Sequence, residues 1–155
     1  MGLDMYLKGK RYMSDFFREG DKKIQESVQE MFPELKDMQS HFDGPVVNEI
    51  MIDAGYWRKA NQIHAWFVKE CQDGRDDCGE YYVPRDKLLE LKALCESALR
   101  DRDSAAKSLP TQSGFFFGGT DYDEWYFRNL ENTITIIDRA VALPKSWDLY
   151  YTSSW

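Results

Sequence analysis

Leu3, Met5 and Leu7 alternate with Asp4, Tyr6 and Lys8. That period of two predicts a first strand over 2–8, with an allowed continuation through Arg11, Tyr12 and Met13. Ser14 and Asp15 are placed to cap a short helical turn around Phe16 and Phe17, which Gly20 stops. Asp21 is placed to cap the next helix. Ile24, Val28, Met31 and Phe32 recur along it at helical spacing until Pro33. Asp43-Gly44-Pro45 reads as a turn and 46–56 as a second strand. The run Ile50-Met51-Ile52 predicts that this strand is covered on both faces.

The pattern then turns helical over 58–72. A polar loop at 73–77 leads to a short strand within 79–83, and Pro84 suits the start of a helix. Leu88, Leu91, Leu94, Cys95, Ala98 and Leu99 mark the buried side of a helix over 85–103, and 104–110 reads as a linker. Phe115-Phe116-Phe117, between Gly114 and Gly118-Gly119, reads as a buried strand. Thr120 or Asp121 is expected to cap a helix over 121–142, with Tyr122, Tyr126, Leu130, Ile134, Ile137 and Val141 as its core stripe. Pro144 ends it, and the alternation of Trp147, Leu149, Tyr151 and Ser153 predicts a final strand over 147–154. No repeat or composition shift divides the chain. The expectation is one α+β domain over 1–155: a mixed or antiparallel sheet with about three main helices packed on it.

Composition sharpens this picture. A chain of 155 residues buries about 70% of its unfolded surface, enough for a core without disulfides. Aromatic residues make up 15% of it, nine Tyr, nine Phe and five Trp. That share fits a core built from large rings; the alternative is that several Tyr and Trp form a partly exposed recognition surface. The net charge of −7 disfavours non-specific nucleic-acid binding, which depends on neutralising phosphates. No window approaches the ~18 apolar residues of a membrane span, so no membrane association is expected. The opening Met1-Gly2-Leu3-Asp4-Met5-Tyr6 has neither the basic start nor the apolar run of a signal peptide. Tyr6 stands where myristoylation at Gly2 wants Ser or Thr. Three cysteines in that setting are expected as reduced thiols in the cytoplasm.

Two blocks carry the candidate chemistry. In Gly55-Tyr-Trp-Arg-Lys-Ala-Asn-Gln-Ile-His64, a strand is expected to end at Gly55. Trp57, Asn61 and His64 then fall at i, i+4 and i+7 on one helix face, with Arg58 and Gln62 on the next stripe. A ring, an amide, an imidazole and a planar guanidinium can together hold a polar ligand. The alternative is that Trp57, Ile63, Trp66 and Phe67 pack while Arg58 and Gln62 face water. The second block runs Leu109-Pro-Thr-Gln-Ser-Gly-Phe-Phe-Phe-Gly118 and on through Gly119-Thr-Asp-Tyr-Asp-Glu-Trp-Tyr126. Gln112 and Ser113 can read a polar edge, and Trp125 offers a stacking ring. Glycines before a helix can expose N–H groups to an anion, but a tight turn explains Gly118-Gly119 as well. Asp121, Asp123 and Glu124 oppose a phosphate there and favour a ligand amine or ring N–H, or simply the helix dipole. The expected ligand-binding set is Trp57, Arg58, Asn61, His64, Gln112, Ser113 and Trp125, with both blocks on one pocket.

No catalytic residues are assigned. The chain has two histidines, His41 and His64, and none of the esterase, zinc-protease, kinase or dinucleotide signatures. His64, Cys71, Cys78 and Cys95 match no zinc spacing. No metal and no cofactor are therefore expected.

The opening Met1–Tyr6, the Gly55–His64 block, Cys78-Gly-Glu and the Leu109–Tyr126 block together resemble a family of small bacteriophage and prophage proteins. The resemblance covers most of the chain except about residues 10–45. It implies a counter-defence role in the host-cell cytoplasm, by sequestering a nucleotide signal or by blocking a host protein. The reading at this point is a non-enzymatic protein whose partner is a small, polar, nucleotide-like ligand. The alternatives are an inhibitor that occupies a host defence protein and, third, a nucleotide-processing enzyme. A homo-oligomer stays open.

Overall fold

The computed structural model describes residues 2–13, 19–35 and 47–155. The expected turn at Asp43–Pro45, the helical turn around Phe16 and Phe17, His41 and the first residue of the 46–56 strand lie outside the described residues. The fold is α+β. Strands β1 (Asp4–Tyr12), β2 (Glu49–Arg58), β3 (Tyr81–Tyr82) and β4 (Asp148–Ser154) form one antiparallel sheet in the order β2-β1-β4-β3. The described helices are α1 (Glu19–Met31), α2 (Asn61–Cys71), α3 (Arg85–Arg100), the single turn α4 (Ala105–Ser108) and α5 (Glu124–Ala142). The chain divides into two compact units, Met1–Gly9 with Ile52–Trp155, and Lys10–Met51.

In the larger unit, alternation does what the sequence predicts. Leu3, Met5 and Leu7 of the β1 segment and Leu149 and Tyr151 of β4 are fully or almost fully buried. They meet Ile63 and Phe67 of α2, Leu88, Leu91, Cys95 and Ala98 of α3, and Leu130 and Ile137 of α5 in one core. Full burial of each large apolar side chain is worth roughly 1.5–3 kcal/mol. The opposite sheet face carries tyrosines in pairs, Tyr6 with Tyr56 at 5.3 Å and Tyr82 with Tyr150 at 5.8 Å between ring centroids. β3 is held to β4 with Tyr81 opposite Tyr151 and Tyr82 opposite Tyr150.

Several expectations need correction. β2 is an edge strand, so its Ile50-Met51-Ile52 run is not covered on both faces; Met51 is 54% exposed. The strand also runs past Gly55 to Arg58, and α2 starts only at Asn61. Ala60 stands at the cap position with no side-chain cap bond, so the sequence carried no start signal there. Gly55 lies against α5: a Cβ on it would stand 2.3 Å from Ile136 Cγ2. Ile52 and Ala54 also face α5, lining a hollow with Ala140 and Leu143. The inward positions thus step from Ile52 and Ala54 to Gly55 and Trp57, a one-residue slip of the alternation such as a β-bulge makes.

α5 is capped by Asp123, not by Thr120 or Asp121; its carboxylate accepts the Tyr126 N–H at 3.0 Å. Its buried stripe is Tyr126, Phe127, Leu130, Thr133, Ile136, Ile137 and Ala140, whereas Tyr122 precedes the helix and is 39% exposed. The Arg85 guanidinium closes the other end. It donates to the carbonyls of Ala140 and Val141 in the last turn, where a helix leaves acceptors open, and to those of Pro144 and Trp147 in the segment that follows, at 2.8–3.3 Å. α3 ends at Arg100, short of the expected 103; a tight turn, Arg102–Ser104, follows it, and α4 lies within the segment expected as a linker at 104–110.

In the unit Lys10–Met51, Asp21 lies within α1 rather than at its cap; its buried carboxylate pairs with Arg11. The Gln25 amide donates to the Val47 carbonyl, and its oxygen accepts the Val47 N–H at 3.0 Å. Ile24 and Val28 are half-buried, while Met31 and Phe32 are exposed.

Candidate functional site

The site grows from the β2–α2 junction. Trp57 is the last inward residue of β2, 1% exposed, and its indole N–H donates to Thr133 Oγ1 at 2.9 Å. Arg58 follows, exposed. Lys59 then turns the chain with φ at 54°, a left-handed conformation that is costly for a residue with a side chain. Its N–H donates to the Leu3 carbonyl at 2.8 Å, which ties the turn to β1. Trp57, Asn61 and His64 therefore do not share a helix face, because Trp57 belongs to the sheet.

Asn61 joins the two sequence blocks. Its amide nitrogen donates to the carbonyls of Phe117 at 3.1 Å and Gly119 at 2.8 Å, and its oxygen accepts the Gln112 N–H at 3.0 Å. Three bonds from one buried amide hold the 112–119 loop over the start of α2. An aspartate lacks the donors and an alanine lacks everything. The loop closes on itself as well: Thr111 donates its N–H to the Tyr122 hydroxyl and its Oγ1–H to the Thr120 carbonyl, and Tyr126 donates to the Leu109 carbonyl.

Phe115–Phe117 is not the expected buried strand. The Phe117 N–H bonds the Gly114 carbonyl at 3.2 Å, closing a turn. Phe115 is 96% exposed at its tip, and Phe117 alone is buried. Gly118 leaves the turn at φ 90°, and a Cβ there would meet Lys59 Cβ at 3.1 Å. Glycine suits this position on both counts.

Two hollows flank the pinned loop. A cleft of about 250 Å³ is lined by Lys59, Asn61, Gln62, Asp121, Trp125 and Asn129, together with Gly118 and Gly119. Trp125 is 58% exposed, and the Arg128 guanidinium stands 6.0 Å from its ring centre. Asp123 also reaches the cleft but is engaged as the α5 cap. The cleft thus offers an ammonium, a carboxylate, amides and an indole face. The second hollow, about 290 Å³, shares no lining residue with the first. Asp76, Gln112, Ser113, Phe116, Phe117 and Trp155 line it, with Phe115 at the tip.

The sequence-predicted residues are divided. Asn61 and Trp125 line the cleft, and Gln112 and Ser113 line the second hollow. Arg58 lines neither, and Trp57 and His64 are core residues. His64 is fully buried, with Nε2 3.0 Å from Asp76 Oδ2 and Nδ1 2.7 Å from the Tyr151 hydroxyl. A proton on Nε2 serves the carboxylate and leaves Nδ1 to accept from Tyr151. Burial, with the Asp76 charge adding to it, pushes the Tyr151 hydroxyl well above the usual tyrosine value. Tyr151 stacks on Phe67 at 4.0 Å and 9°. Burial also pushes the Cys95 thiol up to about 12 and that of Cys71 to about 11, so neither is a thiolate near neutral pH. Among the described residues, no group of three or more His, Cys, Asp or Glu side chains is gathered to hold a metal ion, and no helix is long and apolar enough to cross a membrane.

Sequence reasoning missed Lys59, Gln62 and Asn129 as cleft residues, and Asp76 and Trp155 as partners. Lys59 and Gln62 sat inside the motif block and were legible as polar insertions. Asp76 and Trp155 lie 79 positions apart, and no spacing rule joins them. No protein-family profile, curated protein or solved structure matches the chain.

Proposed function

We propose that this protein is a bacteriophage counter-defence protein of the host cytoplasm that binds a small, polar, nucleotide-like ligand in the cleft beside Trp125 and does not turn it over. The observation that carries the reading is the Asn61 junction. It spends a buried side chain on holding a loop, and that loop frames a cleft whose Lys59, Asp121 and Trp125 side chains are exposed to a ligand. A base would stack on Trp125, worth ~1–3 kcal/mol. Lys59 would meet an anionic group, and a charge-assisted hydrogen bond of that kind is worth ~1.5–3 kcal/mol. Asp121 would accept a ring N–H or exocyclic amine, and Gln62 and Asn129 would fix the remaining edge. One ammonium against the carboxylates of Asp121 and Asp123 disfavours a triphosphate, so the ligand carries a single phosphate or one phosphodiester per base. Calorimetry of the full chain with mononucleotides, cyclic mononucleotides and cyclic dinucleotides tests this, beside mass spectrometry of small molecules released from protein purified out of infected cells. Micromolar binding that Trp125→Ala abolishes supports the reading. No binding by any of them, with nothing released, rejects it, and conversion of the ligand would make the protein an enzyme instead.

A second reading, an inhibitor seated on a host protein, draws support from the exposed rings around the same loop. Phe115 is 96% exposed, Trp125 58% and Trp155 47%, and aromatic anchors of this kind dominate protein interfaces. Capture of one stoichiometric host protein, lost in Phe115→Ala and kept in Lys59→Gly, would favour it.

A further inference from the structure

We propose that the second hollow, between the 113–117 turn and Trp155, is a separate site for a methylated ammonium cation. It is about 290 Å³ in volume, near the lower end of small-molecule sites, ~300–1,000 Å³. Its lining combines Phe115, Phe116, Phe117 and Trp155 with one carboxylate, Asp76. Two of the rings, Phe117 and Trp155, stand 6.1 Å apart at 71°, nearly at right angles, as the walls of a box do.

Asp76 is what makes the hollow a cation site rather than an apolar dent. Its Oδ2 faces His64 Nε2 at 3.0 Å and its Oδ1 accepts the Trp155 indole N–H at 3.1 Å. The indole is a neutral donor. Together the indole N–H and the His64 ring nitrogen fix the orientation of the carboxylate, and the indole, being neutral, takes none of its charge. Among the described residues, no Lys or Arg is paired with Asp76. The side chain is 24% exposed, so the charge is open to the hollow and partly desolvated. A carboxylate has about four lone-pair sites, and two are used here. A methylated ammonium needs no matched hydrogen-bond acceptors; it needs ring faces and a nearby negative charge, which this hollow supplies. The net charge of −7 raises the local concentration of any cation. The site is independent of the nucleotide reading, since it lies outside the Trp125 cleft and shares neither Lys59 nor Asp121.

The test is a titration of the full chain with choline and with its neutral isostere 3,3-dimethylbutan-1-ol. Binding is read at the Trp155 indole ¹⁵N–¹H signal, assigned by its disappearance in Trp155→Phe. Choline is expected to shift that signal saturably, and the isostere at least about tenfold more weakly. Phe115→Ala, at a position 96% exposed, is expected to leave the thermal midpoint in place and weaken choline by about tenfold. Asp76→Asn is expected to make choline and the isostere alike; if that variant fails to fold, the isostere and Phe115→Ala arms still decide. A trimethyllysine peptide run beside free choline identifies the source of the cation, the tighter of the two naming it. Equal shifts by choline and the isostere, or no shift at about 10 mM choline, overturn the proposal.

Discussion

Between Gly55 and Phe67, almost every ring and many of the polar groups are used up inside the protein. Trp57 bonds Thr133, His64 bonds Asp76 and Tyr151, and Asn61 bonds three backbone groups of a distant loop. Between Leu109 and Tyr126 the same types of side chain are left largely outside. Phe115, Tyr122 and Trp125 are exposed, as are Ser113, Thr120 and Asp121. The two stretches have similar compositions and opposite roles: the first is a frame, and the second is the surface that the frame holds still. What separates them is where the hydrogen bonds go, which is a property of the pairing and not of either stretch alone.

The largest effect should come from breaking the frame at its centre. Trp57→Ala removes a fully packed indole and leaves the Thr133 hydroxyl facing a void. The expected loss is ~3–5 kcal/mol in denaturant titration. A loss below about 1 kcal/mol, a surface-like value, would mean that the first block is not core. Asn61→Ala comes next. It strands two loop carbonyls and the Gln112 N–H, at ~1–3 kcal/mol. Its distinguishing mark is local: amide exchange at 112–119 should speed up far more than exchange in the β1–β4 core. Uniform acceleration would show that Asn61 serves global packing rather than the loop.

The legibility of this chain follows the same division. β1, β4, α3 and α5 were readable because each buries one face, and a buried face imprints a period of two or 3.6 on the sequence. Leu3-Met5-Leu7 and Leu88-Leu91-Cys95-Ala98 are that imprint. The β2–α2 junction was not readable, because Lys59 makes a left-handed turn that usually calls for glycine and Ala60 gives no cap. Phe115-Phe116-Phe117 misled for a related reason. Three consecutive large rings suggest burial, but the Gly114–Phe117 turn sends the first ring into solvent and only the third inward. Of the candidate ligand residues, the amide of Asn61 and the ring of Trp125 reached the cleft. His64 met its partners through Asp76 and Tyr151, 12 and 87 positions away, and no local pattern encodes such contacts.

Trp125→Ala sharpens the comparison from the other side. An exposed ring on the first turn of α5 contributes little to the fold, so stability should stay within about 0.5 kcal/mol of the parent. Binding of the cleft ligand should be lost. Calorimetry beside thermal melting separates the two. A stability loss comparable with that of Trp57→Ala would erase the distinction between frame and surface.

The smallest expected effects, and the finest discrimination, lie at two adjacent cations. Arg58 and Lys59 are neighbours in sequence, both exposed, and composition alone gives the phosphate-binding role to the arginine. The backbone reverses that choice. β2 continues through Arg58 on the side opposite Trp57, away from the cleft, and the left-handed turn at Lys59 carries the next side chain to the cleft wall. Arg58→Ala should therefore change neither the melting temperature nor the affinity for the cleft ligand. Lys59→Gly removes the ammonium and replaces a strained residue with one that adopts positive φ freely. Stability should hold or rise by up to about 1 kcal/mol, while affinity falls by roughly the ~1.5–3 kcal/mol of a charge-assisted bond. If Arg58→Ala weakens binding and Lys59→Gly does not, the ligand sits on the outer face of the sheet and the cleft beside Trp125 is not its site.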